Sequence, residues 1–159
     1  MEHTRWLDAE QQQHWRAYID GSSRLLERLE RVLRDCHGLS MPEYEILVRL
    51  SEAPDRQLRM AELADAVSLS RSRLSHTIAR LEVAELVCRR GVEADGRGVV
   101  AVLTEAGYVK LDAASHEHVQ SVRQYFIDVV PAEDLAVIGR VFQTVSETII
   151  GTRRPGNCC

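Results

Sequence analysis

Long apolar runs are missing from this sequence, and its first residues have no leader pattern. No stretch approaches the roughly 20 apolar residues that a helix needs to cross a bilayer, so no membrane partner is expected. Met1–Trp6 contains no basic patch followed by an apolar segment, and a signal peptide is therefore not predicted. Both absences favour a cytoplasmic protein.

Cysteine is scarce, and its spacing argues against the usual structural uses of the residue. The four cysteines are Cys36, Cys88, Cys158 and Cys159. None forms a C-x-x-C pair, so neither a disulfide framework nor a zinc site is predicted, and Cys36 and Cys88 are expected to be small buried residues. His116 and His118 are two residues apart, which is not the spacing of a chelating pair on a helix. No metal and no cofactor is expected.

Catalytic motifs are also missing. The sequence contains no G-x-S-x-G elbow, phosphate-binding loop or dinucleotide fingerprint, and an enzyme is therefore not predicted. Apolar and charged residues are plentiful, at 45% and 28% of the sequence, which is enough for a folded core.

Lysine occurs once, at Lys110, against 19 arginines, and the net charge is -4. This acidic total does not exclude a nucleic-acid partner, because the charge is segregated along the chain. Residues 68–98 hold six arginines and four acidic residues, whereas the segments before and after them are each net acidic. The middle segment is therefore the part suited to a polyanion.

Long amphipathic helices are predicted at both ends of the chain, because apolar residues recur there at helical spacing. The apolar stripes comprise Trp15, Ile19, Leu135, Ile138, Phe142, Val145 and Ile149. A small domain cannot cover both stripes, so a homodimer is expected. The alternative is that the two end helices pack on each other within one chain. The predicted organisation is dimerisation helices over 10–37 and 131–150, a connecting helix over 104–130 and a disordered tail over 151–159.

The segment 39–107 has the pattern of a winged helix-turn-helix domain, so the predicted fold class is mainly α with a small β-hairpin wing. Ser40 and Glu43 have the spacing of a capping box at the start of a helix. A short helix (Ala61–Val67) and a longer helix (Arg71–Glu85) follow, separated by a turn, which is the helix-turn-helix arrangement. Ser70 is the expected N-cap of the longer helix.

The longer helix has one apolar and one polar face. Leu74, Ile78 and Leu81 fall together on the helical wheel and are predicted to face the core. The opposite side carries small and cationic side chains, and no acidic residue occurs from Arg71 to Leu81. Such a face suits close approach to DNA, while the alternative is a solvated amphipathic helix.

The predicted hairpin carries a cation at its tip. Strands are predicted over Val87–Arg90 and Val99–Leu103, joined by a polar loop over 91–98. Within that loop, Arg97 lies between glycines, in a flexible position from which an arginine enters a narrow minor groove. Asp95 is placed to hold its guanidinium. The alternative is an ordinary Asp-Gly turn with a solvated arginine.

Several short motifs, in this order and spacing, resemble the MarR family of bacterial regulators. They are Met60-Ala61-Glu62-Leu63-Ala64, Leu69-Ser70-Arg71-Ser72, Arg80-Leu81-Glu82, Leu86-Val87, Asp95-Gly96-Arg97 and Leu103-Thr104-Glu105-Ala106-Gly107. The resemblance spans about residues 10–150 and implies a homodimeric transcriptional regulator whose first and last helices form the interface. It also implies binding to a palindromic operator, most simply as a repressor, with half-sites about one helical turn apart.

The resemblance implies which residues contact double-stranded DNA. The helix beginning at Arg71 enters the major groove and Arg97 enters the minor groove, while His76 departs from the longer basic residue of many relatives. The residues expected at the DNA are Ser70, Arg71, Ser72, Arg73, Ser75, His76, Arg80, Arg89, Arg90, Asp95 and Arg97. A helical protein-interaction module without DNA binding is the alternative.

Many members of the family release DNA when a small aromatic or phenolic effector binds, and the resemblance implies a similar pocket here. The candidate lining residues are Trp15, Tyr18, Met41, Tyr44 and Tyr108. The alternative is that they are ordinary core residues, and redox or metal sensing are further alternatives. A peroxide-sensing branch of the family carries a reactive cysteine early in the first helix, at a position that aligns near Arg16. No cysteine lies there, so that form of redox sensing is not expected here.

Overall fold

The computed structural model describes residues 4–91 and 98–152 of the chain. The helices and strands of these residues are α1 (Ala9–His37), α2 (Met41–Glu52), β1 (Gln57–Arg59), α3 (Met60–Ala66), α4 (Arg71–Val83), β2 (Val87–Gly91), β3 (Val99–Leu103), α5 (Glu105–Val122) and α6 (Ala132–Thr152). A 3-10 turn (Pro54–Arg56) precedes β1, and a π-helical turn (Arg123–Ile127) follows α5. The prediction of a mainly helical fold with a small β wing is confirmed.

Two capping boxes fix where the first helices begin. In the predicted one, the Ser40 N–H donates to Glu43 Oε2 at 2.8 Å and the Glu43 N–H donates to Ser40 Oγ at 3.4 Å. The other was not predicted: Asp8 accepts the Gln11 N–H at 2.8 Å. Because these side chains satisfy backbone groups that the helix leaves unpaired, the local sequence determines where both helices begin.

Both helices of the helix-turn-helix are followed by a left-handed residue that is not glycine. Ser68 follows α3 with φ 53°, and Glu85 follows α4 with φ 59°. After α4, the Leu86 N–H donates to the Leu81 carbonyl at 2.9 Å, the long bond of a Schellman motif. The prediction that this helix reaches Glu85 is therefore wrong. It ends at Val83, because the chain has already turned out of the helix at Glu85.

The wing sheet has three antiparallel strands in the order β1-β3-β2. Both predicted strands are present, and β2 extends one residue further than predicted, to Gly91. The strand β1 was not predicted, because three residues are too few to show alternation and Leu58 is its single apolar member. Leu58 lies opposite Ala101 of β3 and packs against the core.

The described chain divides into two compact units, with the boundary between Gln120 and Ser121. The core of the first unit holds α4 in place. Leu74, Ile78 and Leu81 are 1%, 0% and 2% exposed, which confirms the predicted apolar face. Burial of each such side chain stabilises the fold by about 1.5–3 kcal/mol. The other large, fully buried side chains are Leu33, Ile46, Leu47, Leu50, Leu63 and Val87.

The second unit contains the π-helical turn and α6. Arg123 donates to the Asp128 carboxylate across the turn at 2.7 Å. α6 begins after Pro131, whose carbonyl accepts the Leu135 N–H at 3.0 Å. The helix includes Gly151 and Thr152, so the prediction that a disordered tail begins at residue 151 is wrong for these two residues. The rest of the predicted tail lies outside the described residues.

Hydropathy gives no membrane-spanning segment in the described chain. Although α1 and α6 have 29 and 21 residues, no helix within residues 4–91 and 98–152 is both long and apolar enough to cross a bilayer.

Candidate nucleic-acid interface

The first two turns of α4 gather polar and cationic side chains at the surface. Ser70 caps the helix as predicted, since its hydroxyl accepts the Arg73 N–H at 3.3 Å. The exposed side chains are Arg71, Ser72, Arg73, Ser75 and His76. No acidic residue lies between Asp65 and Glu82 in the sequence, and the helix dipole adds positive potential at this end. We call these five exposed side chains the polar face of α4.

A cleft of about 490 Å³ lies between the helix-turn-helix and the wing sheet. Arg59 of β1, Arg71 and Ser75 of α4, and Arg89 of β2 all line it. Three arginines from three different elements therefore border one concave surface. Such a grouping favours an anionic ligand, since phosphate oxygens pair with guanidinium groups through short, charge-assisted hydrogen bonds, although the Arg89 guanidinium is engaged by a carboxylate of its own chain.

Arg80, a predicted DNA contact, is paired inside the chain. Its Nε donates to Glu43 Oε1 at 2.9 Å, although the Arg80 side chain is 64% exposed. Glu43 uses its other oxygen for the Ser40 capping box. The carboxylate that starts α2 therefore also balances the charge of Arg80. No local pattern predicts this contact, because 37 residues separate the two.

Arg89, another predicted DNA contact, is held by Glu82. The Glu82 carboxylate accepts the Arg89 backbone N–H at 2.9 Å, its Nε at 2.9 Å and a terminal guanidinium nitrogen at 2.6 Å. The guanidinium bonds of Arg89 lower the pKa of Glu82, and the same bonds raise the pKa of Arg89. Sequence reasoning placed Arg89 at the DNA and did not identify Glu82 as its partner.

The remaining predicted contacts are Arg90, Asp95 and Arg97. Arg90 is exposed on β2. Asp95 and Arg97, the predicted minor-groove pair, lie outside the described residues.

The comparisons with known proteins agree on one family. The sequence pattern of the MarR family matches residues 37–98. AbsC, a MarR family transcriptional regulator from Streptomyces coelicolor, is 42% identical; the match covers 93% of this chain and 99% of AbsC, with a TM-score of 0.89. The chain belongs to the MarR family.

Two further solved structures extend the comparison of this MarR family protein. Sco3205, a MarR family transcriptional regulator from Streptomyces coelicolor in complex with DNA, is 38% identical, with 97% of each chain covered and a TM-score of 0.93. BpsR of Bordetella bronchiseptica, whose DNA binding is regulated by 6-hydroxynicotinic acid, is 18% identical, with 84% of this chain and 98% of BpsR covered and a TM-score of 0.71, and shows the shared fold alone. No curated protein sequence is similar enough to count as a relative.

Two of the five candidate effector residues meet in one cleft of this MarR family protein. Tyr44 of α2 and Tyr108 of α5 line a space of about 290 Å³. Met41 packs against the core. Trp15 and Tyr18 lie on an exposed part of α1 with their ring centroids 5.6 Å apart. Trp15, Tyr18 and Met41 are not among the described residues that line the tyrosine cleft.

Side chains that were not predicted as effector contacts lie against both tyrosines. The Arg56 guanidinium lies 3.9 Å from the centroid of the Tyr108 ring and donates to Glu105 at 3.1 Å. His118 lies against Tyr44 with ring centroids 4.5 Å apart. Burial lowers the pKa of His118 and raises the pKa of Tyr44, so both groups stay uncharged at neutral pH.

The cysteines and histidines form no evident metal centre in the part of the chain that the structure describes. Within it, no group of three or more His, Cys, Asp or Glu side chains is placed to hold a metal ion. Cys36 is exposed and Cys88 is half-buried. The expectation that both are buried is therefore wrong, because Cys36 lies on the outer side of α1 near its C-terminal end.

Proposed function

We propose that this protein is a DNA-binding transcriptional regulator that places α4 in the major groove of double-stranded DNA. The observation that carries the proposal is the division of α4 into a fully buried apolar face and an exposed polar face without acidic residues. Small side chains allow close approach to base edges, and arginines neutralise phosphates. The structure of Sco3205 with DNA supports the proposal. The function requires binding alone and no catalysis.

The proposed DNA contacts fall into two groups. The direct contacts come from Ser70, the polar face of α4 and Arg90, which are all exposed. Asp95 and Arg97 are proposed for the minor groove from their sequence alone. Arg80 and Arg89 are engaged by carboxylates of their own chain, so they contribute less net charge toward DNA than the arginines of the polar face.

We propose that the active form is a homodimer. Trp15 and Leu26 of α1 are 54% and 56% exposed, and Val145 of α6 is 44% exposed. Burial of apolar surface is favourable by about 25 cal/mol per Å², so a second copy that covers these helices gains stability. A two-fold symmetric dimer reads two half-sites about one helical turn apart, which makes a palindrome the expected operator. Occupying an operator that overlaps a promoter makes the protein a repressor.

A binding experiment tests this proposal. Duplexes from the DNA that flanks the protein's own gene are titrated with the full chain and followed by fluorescence anisotropy and gel shift. We expect one complex of two chains on a palindromic site, at least about a thousandfold tighter than on a scrambled duplex. Arg73→Ala should weaken the complex, whereas Arg31→Ala, an equal charge change on α1, should not. Equal affinity for all duplexes would contradict sequence-specific regulation.

We also propose that the cleft at Tyr44 and Tyr108 takes a small aromatic or phenolic effector. The cleft has room for a small ring, and the Tyr44 and Tyr108 rings that line it offer aromatic surface for stacking. Benzoate and 4-hydroxybenzoate serve as probes. We expect at least one of them to weaken DNA binding by the native chain and to lose that effect in Tyr108→Ala. If neither probe binds, or if Tyr108→Ala responds as the native chain does, the assignment fails.

A further inference from the structure

Glu82 and Arg89 form the most extensively bonded ion pair among the described residues that bear on DNA binding. Three hydrogen bonds of 2.6–2.9 Å join the one carboxylate to the backbone and the side chain of the one arginine. The side chains are 27% and 37% exposed. By comparison, one hydrogen bond joins Arg80 to Glu43. A surface pair held by a single bond contributes little, whereas a multiply bonded pair adds defined geometry.

The backbone bond of this pair has a structural meaning of its own. β2 lies at one edge of the sheet, so every second backbone N–H of the strand points away from β3 and lacks a partner within the sheet. The Arg89 N–H is one of these, and it donates to Glu82 instead. The last full turn of α4 therefore completes the hydrogen bonding of the hairpin strand, and the strand position is fixed by more than charge attraction.

The segment between Glu82 and Arg89 leaves α4 and β2 little freedom to move relative to each other. The Leu86 N–H donates to the Leu81 carbonyl, and the Leu86 carbonyl accepts the Thr104 N–H at 3.1 Å. The Thr104 hydroxyl donates to the Glu85 carbonyl at 2.7 Å. Gly107 lies so close to Leu86 that an added Cβ would meet its carbonyl oxygen at 2.0 Å. The helix α4, which is the proposed recognition helix, and the hairpin are thus joined at a short, tightly bonded corner, and Glu82 spans it.

We propose that Glu82 is a positioning residue for DNA binding, which locks α4 to β2 and so sets the geometry in which the recognition helix and the hairpin meet DNA together. Arg89 is the other half of this lock rather than a phosphate contact. The inference rests on the proposed function, because it concerns how the same surface is presented to DNA. A preorganised surface binds its specific site more tightly, while nonspecific binding depends mainly on charge.

Glu82→Gln separates this lock from simple electrostatics. Removing a negative charge beside a DNA-binding surface should strengthen binding if charge alone matters. The lock predicts the opposite: specific affinity falls roughly five- to tenfold, nonspecific affinity is unchanged or slightly higher, and the salt dependence keeps its slope, since no cation is lost. Glu85→Gln is the matched control, with the same charge change three residues away on an exposed side chain, and it should not weaken specific binding.

A double-mutant cycle with Arg89→Lys completes the test. Lysine keeps the charge but cannot reproduce the paired guanidinium bonds, so this variant should lose specific affinity to a similar extent, and the double variant should be no worse than either single one. Circular dichroism melting checks that the variants remain folded. If Glu82→Gln binds the specific site as tightly as the native chain, or if the two losses add, the lock is wrong. If the native chain binds no DNA, the proposed function itself is wrong, and the lock fails together with it.

Discussion

The helices α4 and α6 both carry apolar and polar side chains, but they expose opposite kinds of surface. α4 buries Leu74, Ile78 and Leu81 in the core of its own unit and exposes serines, arginines and a histidine. α6 exposes apolar side chains instead, among them Val141 and Val145 at 49% and 44%. One helix is completed by its own chain and is free to meet a polar ligand, whereas the other has an apolar stripe still in contact with solvent.

This difference suits the two helices to different kinds of partner. An acid-free, cationic surface suits a polyanion, and an exposed apolar stripe suits a protein surface of the same kind. The middle segment has a charge surplus of only two arginines over its acidic residues. In the proposed dimer, two copies of it come together, and we expect this doubled charge to be needed for tight DNA binding. Dimerisation and DNA binding are therefore expected to fail together when α6 is altered.

The largest effect is expected from a charge placed on the α6 stripe. Val145→Asp puts a carboxylate where a second copy should bury an apolar side chain, and burial of an unpaired charge is strongly unfavourable. We expect monomers in sedimentation velocity at micromolar concentration and a loss of DNA affinity of roughly a hundredfold or more. Ala136→Asp, on the opposite side of α6, should leave the dimer intact. A stable dimer of the Val145 variant would remove the stripe from the interface.

A smaller effect is expected from truncating the buried face of α4. Ile78 is fully buried, so Ile78→Ala should lower the free energy of unfolding by about 2–5 kcal/mol through lost packing and a new cavity. His76→Ala, on the polar face two residues away, should change it by less than about 0.5 kcal/mol and should instead weaken DNA binding. Urea unfolding measures both. Comparable destabilisation by the two variants would mean that α4 does not divide into a core face and a DNA face.

Much of this arrangement was predictable because short-range signals fix it. The capping box at Ser40, the N-cap at Ser70 and the spacing of Leu74, Ile78 and Leu81 all act within a few residues, and each was found in the structure. Periodicity alone is therefore enough to predict the buried and exposed faces of α4.

The features that escaped prediction depend on residues far apart in the chain. Strand β1 is defined by its pairing with β3 rather than by its own three residues. The carboxylate partners of Arg80 and Arg89 are evident only in the three-dimensional structure. From sequence alone, any arginine near a predicted DNA surface is expected to be free to contact a phosphate. The predicted effector residues did not all come together, for the same reason. Tyr44 and Tyr108 line one cleft, whereas Trp15 and Tyr18 lie apart from it, on α1.

The smallest effect is expected in the pH dependence of stability, through a half-buried histidine of α5. His118 packs on Tyr44, and burial lowers its pKa below the ordinary 6.5. Because the unfolded chain then takes up the proton more readily, stability present above about pH 6.5 is lost as the pH falls through the lowered folded pKa. Urea unfolding from about pH 8 to about pH 5 should show this loss reduced in His118→Gln and unchanged in His116→Gln, since His116 is exposed. Identical pH profiles for both variants would contradict the assignment.

The salt dependence of specific DNA binding tests the central claim most directly. Arg73 lies on the polar face of α4, whereas Arg80 is paired with Glu43. Each lost phosphate contact reduces the slope of log affinity against log salt by about one, and a dimer loses two contacts for each substitution. We therefore expect Arg73→Ala to bind more weakly with a slope shallower by about two, and Arg80→Ala to stay close to the native slope. An unchanged affinity and slope for Arg73→Ala would contradict the assignment of α4 to DNA.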